Sequence, residues 1–403
     1  MRLARVRSCL ATVASATTIA AAAADPIYRL SLGDPARRDR DVQIVLDGVV
    51  DTASGDTIDP RTLASRLASS RLVLVGEEHT SVESHRVELQ VIRALESAGR
   101  HVLIGLEMFP YPEQRSLDAW GDGRWTEAEF LAKGRWYDVW GYRWSYYRDI
   151  FLHGRAARMP FVALNVPREV VSTVRQKGIG AIPRETADHL PPSIDVESAE
   201  HLTFFKAALE AGGLHGGLPD QALKSMLAAQ ATWDAAMAWN AARALERAHD
   251  PAAVVVVLAG SGHVGYGLGI ERQARAWFNG PIASVMPVPI ADDLGPIASV
   301  RASYANFVWG VAREASPAWP SLGISTRPGA DGRRQVIDVE KDSPARGKVE
   351  NGDVILRIGD AAIDSREAMN RAIAGYEWGD VATLVVKRGE ADVTVAVPLR
   401  RTP

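Results

Sequence analysis

Cysteine is almost absent from this sequence, in which Cys9 is the only one. Cys9 lies in an N-terminal segment that we expect to be removed, so the mature chain would carry no thiol. That excludes disulfides, cysteine-ligated zinc or iron–sulfur sites and a covalently attached c-type haem. The chain is therefore expected to depend on carboxylates, imidazoles and phenols for any ligand chemistry.

An excess of basic charge is also lacking. The formal net charge is −3 at pH 7, and no basic stripe with interleaved aromatic residues stands out. Nucleic acid is therefore not an expected partner. Hydrophobic residues make up 47% and charged residues 24% of the 403 residues, which is typical of globular domains and long enough for two or three of them.

The first 24 residues have the pattern of a signal peptide. Three arginines precede an apolar, alanine-rich stretch from Cys9 to Ala24, which ends in the small residues Ala22-Ala23-Ala24. The stretch is too short to favour a membrane-spanning helix, although an N-terminal anchor is the alternative. We expect an exported protein of the periplasm or outer envelope. Lipidation is not expected, because it needs a cysteine just after the apolar stretch and Cys9 lies at its start.

Apolar runs separated by helical stretches predict an α/β domain with a mostly parallel sheet flanked by helices. The four main runs and a fifth are Arg71–Val75, His101–Leu106, Pro160–Leu164, Ala252–Ala259 and Ile282–Val288. A first helix is predicted to be capped by Thr80 with Glu83 in a capping box, and a long helix is predicted over Asp220–Ala248. Two proline-containing dipeptides near residues 316–320 predict a boundary, which gives a signal peptide (1–24), the α/β domain (25–315) and a small β-rich domain (316–403).

Polar residues follow the carboxyl ends of the main predicted strands. They include Glu77, His79, Glu107 and His263. The carboxyl ends of parallel strands lie at one edge of a sheet, where ligands bind, so we expect these side chains to converge. Two carboxylates and two imidazoles could ligate a divalent metal, act as acid and base, or bond haem propionates. Taken singly, each is more often a cap or a satisfied buried polar group.

Further candidates lie on the helices and in an aromatic stretch. His85 shares an apolar helix stripe with Val82 and is either a core or a site histidine. Gln230 and Asp234 interrupt the apolar face of the long helix at i, i+4 spacing and need polar partners if buried. Tyr142 is a candidate phenolate ligand for haem iron, but aromatic clusters are more often plain core.

Ordered motifs resemble those of the ChaN-like haem-binding family. They are Leu74–His79, Gly105–Phe109, Trp140–Trp144, Val162–Glu169, Ala229–Ala238 and Ala259–Val264. The resemblance implies an exported haem-binding protein tied to iron acquisition, with a tyrosine on the iron and a homodimer in which the partner contributes a histidine. It implies the cofactor-binding set Glu77, His79, His85, Glu107, Tyr142, Gln230, Asp234 and His263.

The same likeness implies an alternative function. The wider superfamily contains Tiki-type metalloproteases and erythromycin esterases, which use Glu and His residues at similar positions. The alternative is therefore a metal-dependent hydrolase, a peptidase or esterase with a divalent metal on Glu77, His79, Glu107 and His263.

The C-terminal part resembles bacterial PDZ domains. The motifs are Ser321-Leu322-Gly323-Ile324, Asp342-Ser343-Pro344-Ala345 and Asn351-Gly352-Asp353-Val354-Ile355. The resemblance implies that Leu322, Gly323 and Ile324 hold the carboxylate of a peptide or protein C-terminus while the peptide adds a strand. The alternatives are a domain whose groove is blocked and a scaffold in which only the PDZ part binds anything.

Overall fold

The computed structural model describes residues 25–211, 218–290, 297–329 and 331–401, and the backbone of residues 22 and 23. The predicted signal peptide, apart from that dipeptide, lies outside the described residues. The predicted α/β class with a second, β-rich domain is confirmed.

The strands of the larger domain form two sheets. The strands are β1 (Ala22–Ala23), β2 (Asp41–Val45), β3 (Val49–Asp51), β4 (Thr57–Ile58), β5 (Leu72–Glu77), β6 (His101–Pro110), β7 (Phe161–Asn165), β8 (Ala253–Gly260), β9 (Ile282–Ile290), β10 (Ile297–Arg301) and β11 (Phe307–Ala312). The main sheet has the order β4-β3-β11-β9-β5-β8-β6-β7, and its strands from β11 to β7 are parallel. A smaller sheet has the order β1-β10-β2.

Helices cover both faces of the main sheet. They are α1 (Pro60–Arg66), α2 (Val82–Ser97), α3 (Gln114–Gly121), α4 (Glu127–Lys133), α5 (Trp136–Val139), α6 (Arg148–Ala156), α7 (Arg168–Lys177), α8 (Ala199–Ala211), α9 (Asp220–Ala248), α10 (Ser261–Val264) and α11 (Ile270–Arg275). Alternate residues of each central strand point to opposite faces. Leu74 and Val257 therefore join one core with α9, whereas Val75 and Val256 join another with α2. In the described part of the chain no helix has the length and apolar character needed to cross a membrane.

The start of α2 differs from the prediction. Ser81, not Thr80, is the N-cap, and its hydroxyl accepts a hydrogen bond from the Ser84 backbone N–H at 3.1 Å. Glu83 forms an ion pair with Arg86 instead of closing a capping box. Both Thr and Ser can cap a helix, and the chain enters α2 one residue later than the sequence pattern indicated.

The C-terminal domain is an antiparallel sheet with one helix. Its elements are β12 (Ile324–Pro328), β13 (Arg334–Val339), β14 (Val354–Ile358), β15 (Ala361–Ala362), α12 (Arg366–Ile373), β16 (Val381–Arg388) and β17 (Ala391–Pro398). The strand order is β12-β13-β14-β16-β17, with β15 on β14. This domain has its own core, which includes Leu322, Ile355, Met369 and Leu384. Strand β12 lies at the edge of the sheet.

Candidate functional site

The carboxyl ends of β5, β8 and β6 bring the predicted residues together. Glu77 is the last residue of β5 and lies opposite Gly260, the last residue of β8. Glu107 on β6 accepts a hydrogen bond from the Gly260 backbone N–H, 2.6 Å away, and His263 follows on α10. Glu77, His79, Glu107 and His263 thus surround one strand end, as the parallel register predicts.

Glu77 is the centre of a buried hydrogen-bond network. Its Oε1 accepts from His79 Nδ1 at 2.6 Å and from the Tyr147 hydroxyl at 2.9 Å. Its Oε2 lies 3.1 Å from His85 Nδ1. Burial alone would raise the pKa of Glu77, but the positive charges and hydrogen bonds of the two histidines outweigh it and lower that pKa.

A second carboxylate, Glu88, shares His85 with Glu77. His85 Nδ1 is 2.7 Å from Glu88 Oε2, and burial together with the negative charge of Glu77 raises the pKa of Glu88 to about 8. Burial lowers the pKa of His85, but the two carboxylates outweigh it and raise the value to about 10. Among the described residues, Glu77, His85 and Glu88 have ligand atoms within 4.8 Å of one another, a spacing that suits a metal ion.

This trio differs from the predicted metal set. Only Glu77 belongs to both, and sequence reasoning missed Glu88 and Tyr147. The i, i+3 spacing of Glu88 from His85 places the two side chains on one helix face and was the available signal. Tyr147 had no comparable signal, because many aromatic residues lie in the same stretch.

His263 forms the other half of the site. Its Nδ1 is 2.5 Å from Asp234 Oδ1, and the Gln230 side-chain amide lies 2.9 Å from the same nitrogen. Its Nε2 is 3.3 Å from Glu107 Oε1. Burial would lower the pKa of His263, but Glu107 and Asp234 raise it to about 10. Glu107 and Asp234 therefore favour the protonated form of His263.

A large cleft opens beside Glu107 and Gln230. Its volume is about 910 Å³, and its walls come from β6, α5, α7, α8 and α9. Apolar side chains that line it include Met108, Val139, Trp140, Met226 and Trp233, and three arginines also line it: Arg135, Arg168 and Arg175. Its described lining includes no tyrosine or histidine.

Tyr142 lies near the cluster but outside the lining of that cleft. Its ring is 5.0 Å from the ring of His79 and 5.3 Å from that of Trp140. It lines a separate pocket together with Leu322, Gly323 and Ile324, the three residues predicted to bind a peptide carboxylate. The cofactor-binding set predicted from the sequence is thus gathered in one region, with Tyr142 on the side facing the C-terminal domain.

Comparison with family models decides the family of the larger domain. The model described as haem-binding uptake, Tiki superfamily, ChaN matches residues 63–273, which is more than half of the chain. The chain belongs to this ChaN-like family. A second model, for a PDZ domain, matches residues 320–399. The larger part is hereafter called the ChaN-like domain and the C-terminal part the PDZ domain.

Solved structures and curated proteins were also compared. ChaN of Campylobacter jejuni, described with cofacial haem binding, is 19% identical over 63% of this chain and 96% of its own, with a TM-score of 0.49. The HtrA-type protease AlgW with a decapeptide is 22% identical over 22% of this chain and 31% of its own, with a TM-score of 0.21. A serine endoprotease from Yersinia pestis is 20% identical over 21% of this chain and 30% of its own, with a TM-score of 0.19. A search of curated proteins found no match.

The family match bears on the two predicted functions. The family model that matches is described as haem-binding. The alternative of a metal-dependent hydrolase is therefore not favoured.

Proposed function

We propose that this chain is an exported haem-binding protein that takes part in haem or iron acquisition. The observation that carries the proposal is the cleft of about 910 Å³ next to the Glu/His cluster, in a domain of the ChaN-like family. A large, mostly apolar cleft with a few convergent polar groups is the usual form of a cofactor site.

The residues of the cleft fit haem in two respects. Flat apolar and aromatic side chains, including Val139, Trp140 and Trp233, suit the faces of a porphyrin. Arginines pair well with carboxylates, so Arg168 and Arg175 on α7 suit the two propionates. Arg168 also donates to the Val139 carbonyl at 2.8 Å, which ties α7 to the opposite wall.

Haem, when bound, supplies an iron centre and a large apolar ring. Met108 and Met226 are described lining residues whose thioether sulfur can ligate haem iron. Gln230 lies where the cleft meets His263, so a ligand in the cleft borders the buried proton network directly. The cluster would orient donors and hold protons at this inner end of the cleft.

Titration of the purified protein with haemin tests the proposal. We expect a shifted Soret band that saturates at a fixed ratio of haemin to protein. The double variant R168E/R175E should bind roughly tenfold more weakly, because two exposed ion pairs of up to about 1 kcal/mol each are lost. R124E/R333E is the matched control, since it changes the net charge equally at exposed arginines outside the cleft lining. Absence of a saturable Soret change in the unaltered protein would overturn the proposal.

We further propose that the PDZ domain docks the free C-terminus of a peptide or protein. Two features support this: Leu322, Gly323 and Ile324 line a pocket, and edge strand β12 pairs with β13 on one side. A peptide can therefore add to the other side of β12 with its carboxylate at the backbone N–H groups of the loop. Assembly into a homodimer stays a prediction, which light scattering with and without haemin would check.

A further inference from the structure

The pocket at the carboxylate-binding loop is shared by the two domains. It has a volume of about 270 Å³. The PDZ domain contributes the loop Leu322–Ile324 and, from α12, Met369 and Ile373. The ChaN-like domain contributes Tyr142 and Tyr146. The pocket that would receive the last side chain of a docked peptide is therefore not built by the PDZ domain alone.

Direct hydrogen bonds hold the two domains together around this pocket. Arg143 donates to the Tyr376 carbonyl at 2.6 Å and also bonds the carboxylate of Glu377. Asn370 on α12 donates through Nδ2 to the Tyr137 carbonyl at 2.9 Å. Position 141 favours glycine because its φ is +98°, and a Cβ there would also lie 2.6 Å from Asn370 Nδ2 of the PDZ domain.

The two pocket tyrosines pack against histidines of the Glu/His cluster. Tyr142 lies 5.0 Å from His79 and Tyr146 lies 5.7 Å from His85, measured between ring centroids. Tyr146 also meets Trp319, another pocket residue, edge to face at 4.6 Å. The two tyrosines form one wall of the pocket. Because the histidines and Trp319 hold their rings in place, this wall has a fixed shape before any peptide binds.

We propose that Tyr142 and Tyr146 are specificity-determining residues that read the last side chain of a peptide docked in the PDZ groove. The occupant is a peptide with a free carboxylate and an apolar last residue. Aliphatic side chains from α12 face aromatic rings from the ChaN-like domain, which favours an apolar group. Glu340 and Arg143 also line the pocket, and Arg143 is already paired with the carboxylate of Glu377. The charge of Glu340 therefore disfavours an acidic last residue. This inference rests on the proposed peptide docking and adds the ChaN-like domain to it.

Fluorescence polarisation with labelled decapeptides tests the inference on the full chain. The probes differ only at the last residue, which is Phe, Ala or Asp, and each is made as the free acid and as the amide. We expect the free acid ending in Phe to bind best. The amide and the Asp-ended peptide should bind about tenfold more weakly or worse, because a charge-assisted hydrogen-bond set is lost or a like charge is added.

Substitutions of Tyr142 and Tyr146 then test whether these two residues contact the last side chain of the peptide. Tyr142→Ala and Tyr146→Ala should each weaken binding of the Phe-ended peptide about fivefold and reduce its preference over the Ala-ended one. Tyr146→Phe should retain both, because the contact is made by the ring. Tyr146→Leu should show the alanine effect with less disturbance of the packing, and circular dichroism confirms the fold. Tyr111→Ala is the matched control, because Tyr111 is a partly exposed tyrosine of the ChaN-like domain that lies outside this pocket.

The outcomes separate the two proposals. If the unaltered protein binds none of the free-acid peptides, the proposed peptide docking fails and this inference with it. If it binds them and the tyrosine variants behave like Tyr111→Ala, docking stands and the role of the ChaN-like domain is overturned.

Discussion

The two domains each bury acidic side chains, but they treat them differently. In the PDZ domain Asp353 is 1% exposed. It accepts two hydrogen bonds from Arg388, at 2.9 and 2.8 Å, and one from the Glu350 backbone N–H at 2.9 Å. Burial would raise the pKa of Asp353, but these bonds lower it. This carboxylate has the partners that a structural buried charge needs.

The ChaN-like domain buries Glu77, Glu88 and Asp234 without satisfying them fully. Glu88 Oε1 and Asp234 Oδ2 are buried and have no hydrogen-bond partner among the described residues. His201 Nε2 lies 3.9 Å from Asp234 Oδ2, which is too far for a hydrogen bond. Incomplete partners beside a large cleft are typical of a functional site, whereas complete partners in a closed core are typical of a structural one.

The largest expected effect on stability is at Asp353, the fully hydrogen-bonded carboxylate of the PDZ domain. Asp353→Ala should lower the free energy of unfolding of the PDZ domain by about 3 kcal/mol, because Arg388 loses two charge-assisted hydrogen bonds and the Glu350 backbone N–H loses its acceptor. Urea-dependent hydrogen exchange, followed by mass spectrometry on peptides from each domain, measures this. The ChaN-like domain should be unchanged. A loss below about 0.5 kcal/mol would show that Asp353 is not structural.

The corresponding change in the unsatisfied site should have the opposite sign. Glu88→Gln keeps the shape and an acceptor for His85 but removes a buried carboxyl group. The ChaN-like domain should gain about 1 kcal/mol at pH 7, because Glu88 is ionised in the unfolded chain and must take up a proton to be buried, whereas Gln needs none. The same hydrogen-exchange experiment measures the gain. A loss as large as that of Asp353→Ala would erase the distinction between the two sites.

The two domains should also respond to pH with opposite slopes. The pKa of Glu88 is raised to about 8 in the folded state, and those of His85 and His263 to about 10. The folded ChaN-like domain therefore binds more protons than the unfolded chain between about pH 4.5 and 10, and its stability falls as pH rises. The pKa of Asp353 is lowered, so the PDZ domain instead loses stability as pH falls below about 4. Unfolding at a series of pH values checks both slopes, and Glu88→Gln should reduce the slope of the ChaN-like domain between about pH 4.5 and 8. An unchanged slope in that variant would assign it to other groups.

The sequence predicted the scaffold of the site well because periodicity and parallel pairing are local or simple properties. Helix α9 has the predicted bounds, Asp220–Ala248, and the ends of β5, β6 and β8 bring Glu77, Glu107 and His263 together. Burial is a tertiary property, so it could not be predicted which neighbours would enter the cluster. Glu88 and Tyr147 entered it from positions that looked like ordinary helix and aromatic core.

The relation between the domains left no trace in the sequence. Tyr142 was a candidate haem ligand from the sequence, and in the structure it lines the pocket of the PDZ loop and packs against the ring of His79. No spacing rule links a loop near residue 142 to a helix near residue 370. That contact depends on side chains such as Arg143 meeting backbone carbonyls that only the folded PDZ domain presents.

The smallest effect tests a feature that the two domains share. Ser81 caps α2 beside the cluster and Ser365 caps α12 beside the peptide pocket, each accepting a backbone N–H at 3.1 Å. Ser81→Ala and Ser365→Ala should each cost about 1 kcal/mol in their own domain, whereas Thr80→Ala should cost little because Thr80 is not the cap. Urea-dependent exchange in α2 and α12 distinguishes these outcomes. Equal losses from the two serine variants would show that helix capping contributes alike in both domains, so the contrast between the domains belongs to their buried carboxylates. A larger loss from Thr80→Ala than from Ser81→Ala would instead support the start of α2 that the sequence predicted.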